Sequence, residues 1–316
     1  MKKVTLIIVL AMLLSVCSVA MAAERSYTIA LITMDSMDQH WLKVKAGAEA
    51  AVADLVKEGH DVKLVFDAPA TKVDSVVQAN MVENQITNKA DAILLAPMDA
   101  EALVPAIEEV YDAGIPMILI DTLANTKKFH VIYQTDNGAA ARLAADELGK
   151  LVDGKGEIAI INAQAGSQTT MTRESEFRKE IAEKFPDIKI VGVQYCDGDK
   201  QKALNYAEDF MMKNPNLAGF YACNEGSTVG TGNAVDQAGK AGVIKVVGFD
   251  FSDEVKDLVS RGVIQATMVQ NPWVMGNEGV KAAWKLINGE KVADEEAFVV
   301  DTGVTVVTKD NLDEVK

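Results

Sequence analysis

Asp38, His40, Trp41, Asp121, Asn224, Asp250 and Gln270 have types and spacings suited to holding a small hydroxylated ligand. The first three lie within one short stretch. Each of the others directly follows a short apolar run: Ile118–Ile120, Phe220–Cys223, Val246–Phe249 and Met268–Val269. Carboxylates accept hydrogen bonds from hydroxyls, and amides both donate and accept. Trp or His can lie against the C–H face of a sugar ring. Hydrogen bonds to charged groups contribute about 1.5–3 kcal/mol each, so three carboxylates can hold a neutral polyol firmly. The same negative charges repel a phosphate or carboxylate ligand. Any one of these residues, taken singly, also reads as a helix cap or turn former. That account weakens when such residues recur at successive strand ends.

Nothing points to catalysis. No G-x-S-x-G elbow is present. The three histidines, His40, His60 and His130, lack a zinc spacing. Gly226–Gly232 is glycine-rich, but it lacks the Lys-Ser/Thr of a phosphate loop and reads as a helix start with small packing residues. Asp197-Gly198-Asp199 hints at calcium, yet Lys202 stands where the turn glycine of such a loop belongs. The sequence therefore predicts a binding protein, not an enzyme, with no cofactor and no metal.

The elements that must position these residues alternate in type. Short strands are predicted at Tyr27–Thr33, Val62–Phe66, Ala92–Ala96, Met117–Ile120, Glu157–Ile161, Lys189–Gln194, Gly219–Ala222, Lys245–Phe249 and Gln265–Val269, with amphipathic helices between most of them. This is an α/β pattern of parallel sheets covered on both faces. About ten strands favour two Rossmann-like domains over one open sheet. Ligands of such sheets bind outside the carboxyl ends of the strands, where the candidate residues fall. Cys196 and Cys223 end strands that Glu157–Ile161 would separate, so they are expected as free thiols rather than a disulfide.

The chain carries 31 basic and 46 acidic side chains, a formal charge of −15. That balance argues against nucleic acid and anionic membrane surfaces as partners. Residues 1–22 read as a secretory signal peptide: Lys2 and Lys3, an apolar run from Leu6, then Ala20-Met21-Ala22 before a cut at Ala23. Val16 before Cys17 does not suit lipid attachment. The expected location is the periplasm.

The sequence resembles the periplasmic sugar-binding proteins of the ribose-binding type, which serve ABC importers. The carrying segments are Thr28–Ile32 with Lys45–Ala48, Ile93–Pro97, Gly114-Ile115-Pro116 through Asp121, Thr135-Asp136-Asn137, Val247–Asp250 and Ala266–Gln270. The resemblance covers nearly the whole mature chain. It implies lobes of 23–135 plus 271–299 and 136–270 plus 300–316, with a ligand cleft between them. They would be joined by a hinge of three crossings near Thr135, Gln270 and Val300 that closes over the ligand. It implies ligand contacts from all seven candidates, with Met34 and Arg173 nearby, and a monomeric receptor with a membrane permease as partner. The alternative is a receptor passing a sugar-like signal to a chemoreceptor or sensor kinase. An exported enzyme lacks a nucleophile–base set, and a repressor lacks a DNA-binding headpiece. Ribose binders carry Arg where Thr122 and Met171 stand here, and a small Ser where Met34 stands. A different pentose, a hexose, a linear polyol and a cyclitol all stay open.

Overall fold

The apolar runs form strands with little freedom to be anything else. All of β3 (Ala92–Leu95) and β4 (Met117–Ile120) is buried, as expected of strands covered on both faces. The computed structural model describes residues 25–69, 74–294 and 297–314. The signal-peptide reading of residues 1–22, with its cut after Ala22 and with Cys17, lies outside the described residues. No helix among them is long and apolar enough to cross a membrane.

The first sheet also holds β1 (Tyr27–Ile32), β2 (Val62–Asp67), β5 (Val131–Gln134) and β11 (Phe298–Asp301), in the order β11-β5-β4-β3-β1-β2. The second holds β6 (Lys155–Asn162), β7 (Asp187–Tyr195), β8 (Leu217–Ala222), β9 (Lys245–Phe249), β10 (Ala266–Gln270) and β12 (Val304–Thr308), in the matching order β12-β10-β9-β8-β6-β7. The helices α1 (Gln39–Lys57), α2 (Ser75–Thr87), α3 (Val104–Asp112) and α9 (Pro272–Ile287) cover the first sheet. The second is covered by α4 (Asn137–Leu151), α5 (Gln168–Lys184), α6 (Lys200–Lys213), α7 (Glu225–Gln237) and α8 (Asp253–Ser260). The result is two parallel-sheet α/β lobes, each with its own buried core.

The strands β5, β11 and β12 and the helices α8 and α9 add to the sequence reading. β5 follows β4 without an intervening helix, so alternation alone passes over it. One pair departs from the parallel pattern: β12 runs antiparallel to β10. The link Thr302–Gly303 leaves the carboxyl end of β11, where the two lobes face each other. A strand entering the second lobe from that end must run against its neighbours.

The chain passes between the sheets at Gln134–Asn137, at Gln270–Pro272 and at Thr302–Gly303. These crossings are tied to one another. Thr135 Oγ1 donates to Gly303 O at 3.2 Å, Asp136 N to Asp301 Oδ1 at 3.0 Å, and Asn271 Nδ2 to Thr302 O at 2.5 Å. The glycine-rich stretch is indeed a packing surface: a Cβ on Gly226 would lie 1.9 Å from Gly198 O. Cys196 and Cys223 are both buried, with β6 between their strands.

Candidate functional site

The carboxyl ends of both sheets border a cavity of ≈ 60 Å³. That is several times the ~10–15 Å³ one water needs. All nine residues singled out in the sequence line it. The first lobe brings Met34 beyond β1, Asp38, His40 and Trp41 at the start of α1, and Asp121 after β4. The second brings Arg173 from α5, Asn224 at the start of α7, Asp250 after β9 and Gln270 at the end of β10. Met171 is not among the lining residues, whereas Arg173, two positions on, is.

Sequence reasoning missed Ala163, Gln164, Ser167, Thr169 and Thr170, between β6 and the first turn of α5, and it read Asp197 and Gly198 after β7 only as a weak hint of calcium, not as cavity lining. The signal was available. Gln164 follows the apolar run Ile158–Ile161 by three residues, a little beyond the strand end at which the chosen residues stand.

Two aspartates hold equivalent places in the two lobes. Asp121 and Asp250 both leave a strand in the left-handed region, at φ 66° and 71°. Asp adopts that conformation more readily than most side chains. Asp121 N donates to Tyr133 O of β5 at 2.8 Å, and Asp250 N to Met268 O of β10 at 2.9 Å. Each turn is thus fixed to the neighbouring strand.

His40 stands between these carboxylates. Its Nε2 is 3.2 Å from Asp121 Oδ1 and its Nδ1 is 3.6 Å from Asp250 Oδ1. Burial alone would lower the His40 pKa, but Asp121, Asp250 and Asp38 together overcome it and push it up to about 9. The ring is therefore an imidazolium at neutral pH. Against the effect of burial, His40 and Arg173 hold the Asp121 carboxyl below its ordinary value. Trp41 meets the His40 ring edge-on, with centroids 4.7 Å apart.

The second lobe supplies a polar wall. Arg173 Nε donates to Asn137 Oδ1 and Nη1 to Cys223 O, both at 2.8 Å, and its guanidinium lies 4.0 Å over the Phe249 ring. Gln270 Nε2 donates to Asp250 Oδ1 at 2.6 Å, and Asp250 Oδ2 accepts from Glu225 N at 2.9 Å. Two atoms in this network, Arg173 Nη2 and Gln270 Oε1, are buried without a protein partner. Leaving such an atom unmade costs about 1–3 kcal/mol.

Cap and lining roles coincide rather than compete. Asp38 caps α1, accepting from His40 N at 2.9 Å, and Asn224 caps α7, accepting from Ser227 N at 3.1 Å. Both also line the cavity. Of the four carboxylates that line the cavity, Asp197 is paired with Lys202 at 2.8 Å; with His40 and Arg173 as cations, the other three, Asp38, Asp121 and Asp250, leave an excess of a single negative charge. No cluster of three or more His, Cys, Asp or Glu among the described residues is arranged to hold a metal ion.

Comparison with known proteins gives this arrangement a context. Residues 29–291 match the model of the periplasmic binding protein domain. The D-ribose/D-allose-binding protein of Pseudomonas aeruginosa is 30% identical over 287 residues, 89% of this chain and 88% of that protein. An ABC transporter solute-binding protein from Agrobacterium vitis, solved with bound D-fucose, superposes with a TM-score of 0.86 at 37% identity, covering 91% of this chain and 97% of its own. A second from the same organism, bound with α-D-tagatopyranose, superposes at 0.84 with 32% identity, covering 91% and 96%.

Proposed function

Because the chain belongs to the periplasmic binding protein domain family, we propose that it is an exported receptor that captures one neutral sugar or polyol and delivers it to an ABC importer. The lobes close over the ligand by rotation about the three crossings. Asp38, Asp121, Asn224, Asp250, Gln270 and Arg173 bind its hydroxyls, and Met34, Trp41 and His40 border its apolar faces. The receptor works as a monomer in the periplasm after loss of residues 1–22, with a membrane permease as partner.

One observation carries this reading. Arg173 and Gln270 line a small cavity whose charges nearly balance, and a buried donor of the one, Nη2, and a buried acceptor of the other, Oε1, lack protein partners. A group that both donates and accepts, without net charge, satisfies both atoms, and a hydroxyl does this. An anionic ligand would meet Asp38, Asp121 and Asp250, and a cationic one Arg173 and His40. The neighbours' ligands, D-fucose and α-D-tagatopyranose, are neutral monosaccharides, which favours a monosaccharide here.

Thermal unfolding of the protein without its leader, stripped of co-purified ligand, tests this against pentoses, hexoses, linear polyols and inositols. A ligand at 100 times its Kd stabilises by about 2.7 kcal/mol. A shift confined to one subclass is expected and names the ligand group. No shift with any neutral sugar or polyol overturns the reading.

A further inference from the structure

The first turn of α1 touches one short segment of the opposite lobe at three points. Gln39 Oε1 accepts from Asp253 N at 3.1 Å, and Gln39 Nε2 donates to Asp253 Oδ2 at 3.4 Å. His40 Nδ1 lies 3.6 Å from Asp250 Oδ1. Lys43 Nζ donates to Phe251 O at 2.9 Å and sits 5.3 Å over the Phe251 ring. Residues 39 and 43 are one turn apart on the helix, so they share a face. That face meets residues 250–253, just where β9 gives way to α8.

We propose that this turn is a clasp that holds the lobes together and that His40 is its positioning residue, joining Asp121 of its own lobe to Asp250 of the other. The proposal rests on lobe closure as stated above. Asp121 and Asp250 are both buried, and closure brings them to opposite sides of one ring. Without a cation between them, two carboxylates would be forced together in a medium of low dielectric. An imidazolium turns that repulsion into two attractions. The other charged groups facing this arrangement are few. Asp38 reaches the ring from the cap of its own helix, Arg173 of α5 acts on Asp121, and Lys43 acts on Asp250. Glu225 of α7 interacts with Asp38 and with Lys200 rather than with the ring. His40 thus borders the sugar while spending its nitrogens on the two lobes.

The test reads lobe closure directly, by energy transfer between dyes on one exposed site of each lobe, with and without sugar, from pH 6 to pH 10. The closed fraction of the wild-type protein is expected to fall as pH rises through about 9. His40→Phe keeps a ring but loses both nitrogens; it should close less at pH 7 and show no such step. Lys43→Met should keep the step, which separates His40 from Lys43 as the titrating group. Lys43→Met and Gln39→Ala, outside the sugar cavity, should each speed sugar release about 3- to 10-fold with little change in association rate. A pH step that survives in His40→Phe, or a Phe variant that closes as fully as wild type, overturns the clasp. The ligand-free measurements decide this even if no sugar binds, so failure of the clasp and failure of the sugar reading are distinguishable.

Discussion

The two lobes repeat one plan and equip it differently. Their strand orders correspond position by position, and an aspartate turns left-handed at the end of β4 and again at the end of β9. The dressing of those aspartates diverges. The first lobe supplies an aromatic pair and a cation, Trp41 and His40. The second supplies Arg173 held by Asn137 and the Cys223 carbonyl, and a Gln270–Asp250 pair. Each cation also reaches across the cleft: His40 lies against Asp250, and Arg173 acts on Asp121. A repeated fold therefore sets where the carboxylates stand, while the charge balance is complete only when the halves meet.

Asp250→Ala should produce the largest effect, because it unmakes more than Asp121→Ala. It strands Gln270 Nε2, the Glu225 N–H and one face of the His40 ring. Removing one partner of a buried charged network costs about 3–5 kcal/mol, so sugar affinity should fall at least about a hundredfold. Asp121→Ala strands mainly His40 Nε2, and the loss should be about 1.5–3 kcal/mol. Titration calorimetry on both variants checks the ranking, and equal losses would erase the asymmetry.

The pH dependence of stability tests the charge balance itself. The His40 pKa stands at about 9 in the folded protein against an ordinary 6.5. A raised folded-state value means its contribution is fully present below pH 6.5 and disappears as pH rises through 9. Over that window the wild type should lose about 3 kcal/mol that His40→Phe does not lose. The lowered Asp121 value describes the same contact from the other side and is not additional. Melting at pH 6, 7.5 and 9.5 measures it, and parallel curves for the two proteins would refute it.

Much of this was legible in the sequence because strand ends are punctuated by chemistry. Asp121, Asn224, Asp250 and Gln270 each terminate an apolar run, and a ligand-binding edge is where such runs stop. Arg173 was harder to place, since it sits inside α5 and reaches the cavity only because α5 packs along the end of β6. The orientation of β12 was not legible, because it follows from which lobe the chain enters, not from local pattern. The pairing of His40 with both carboxylates was equally hidden. It depends on two residues 129 positions apart, Asp121 and Asp250, meeting across lobes.

Glycine contacts offer a smaller contrast. A Cβ on Gly47 would lie 1.9 Å from Trp273 O, between α1 and α9 of the first lobe. One on Gly226 would lie 1.9 Å from Gly198 O, between α7 and the β7–α6 loop of the second. Either Gly→Ala change forces backbone apart, at about 1–3 kcal/mol of stability. Only Gly198 lines the cavity. Gly226→Ala should therefore lower both melting temperature and affinity, and Gly47→Ala melting temperature alone. An affinity loss in Gly47→Ala would mean that the first lobe's packing reaches the site too.

The smallest effect separates the two roles of a cap that also lines the cavity. Asn224 Oδ1 accepts from Ser227 N, which leaves its amide nitrogen to face a ligand. Asp caps a helix about as well as Asn, so Asn224→Asp keeps the acceptor and removes the donor. Helix α7 should hold, with the melting temperature of the ligand-free protein little changed. Sugar affinity should fall by about 1 kcal/mol, roughly fivefold, for one lost hydrogen bond, more if the new charge meets Asp250. Asp38 in the first lobe is the control: Asp38→Asn also keeps its cap on α1, but it withdraws a charge that helps hold His40 as a cation. Its affinity loss should therefore vary with pH, and that of Asn224→Asp should not. A pH-independent loss in both would place Asp38 beside Asn224 as a plain hydroxyl contact and leave Asp121 and Asp250 as the carboxylates that govern the ring.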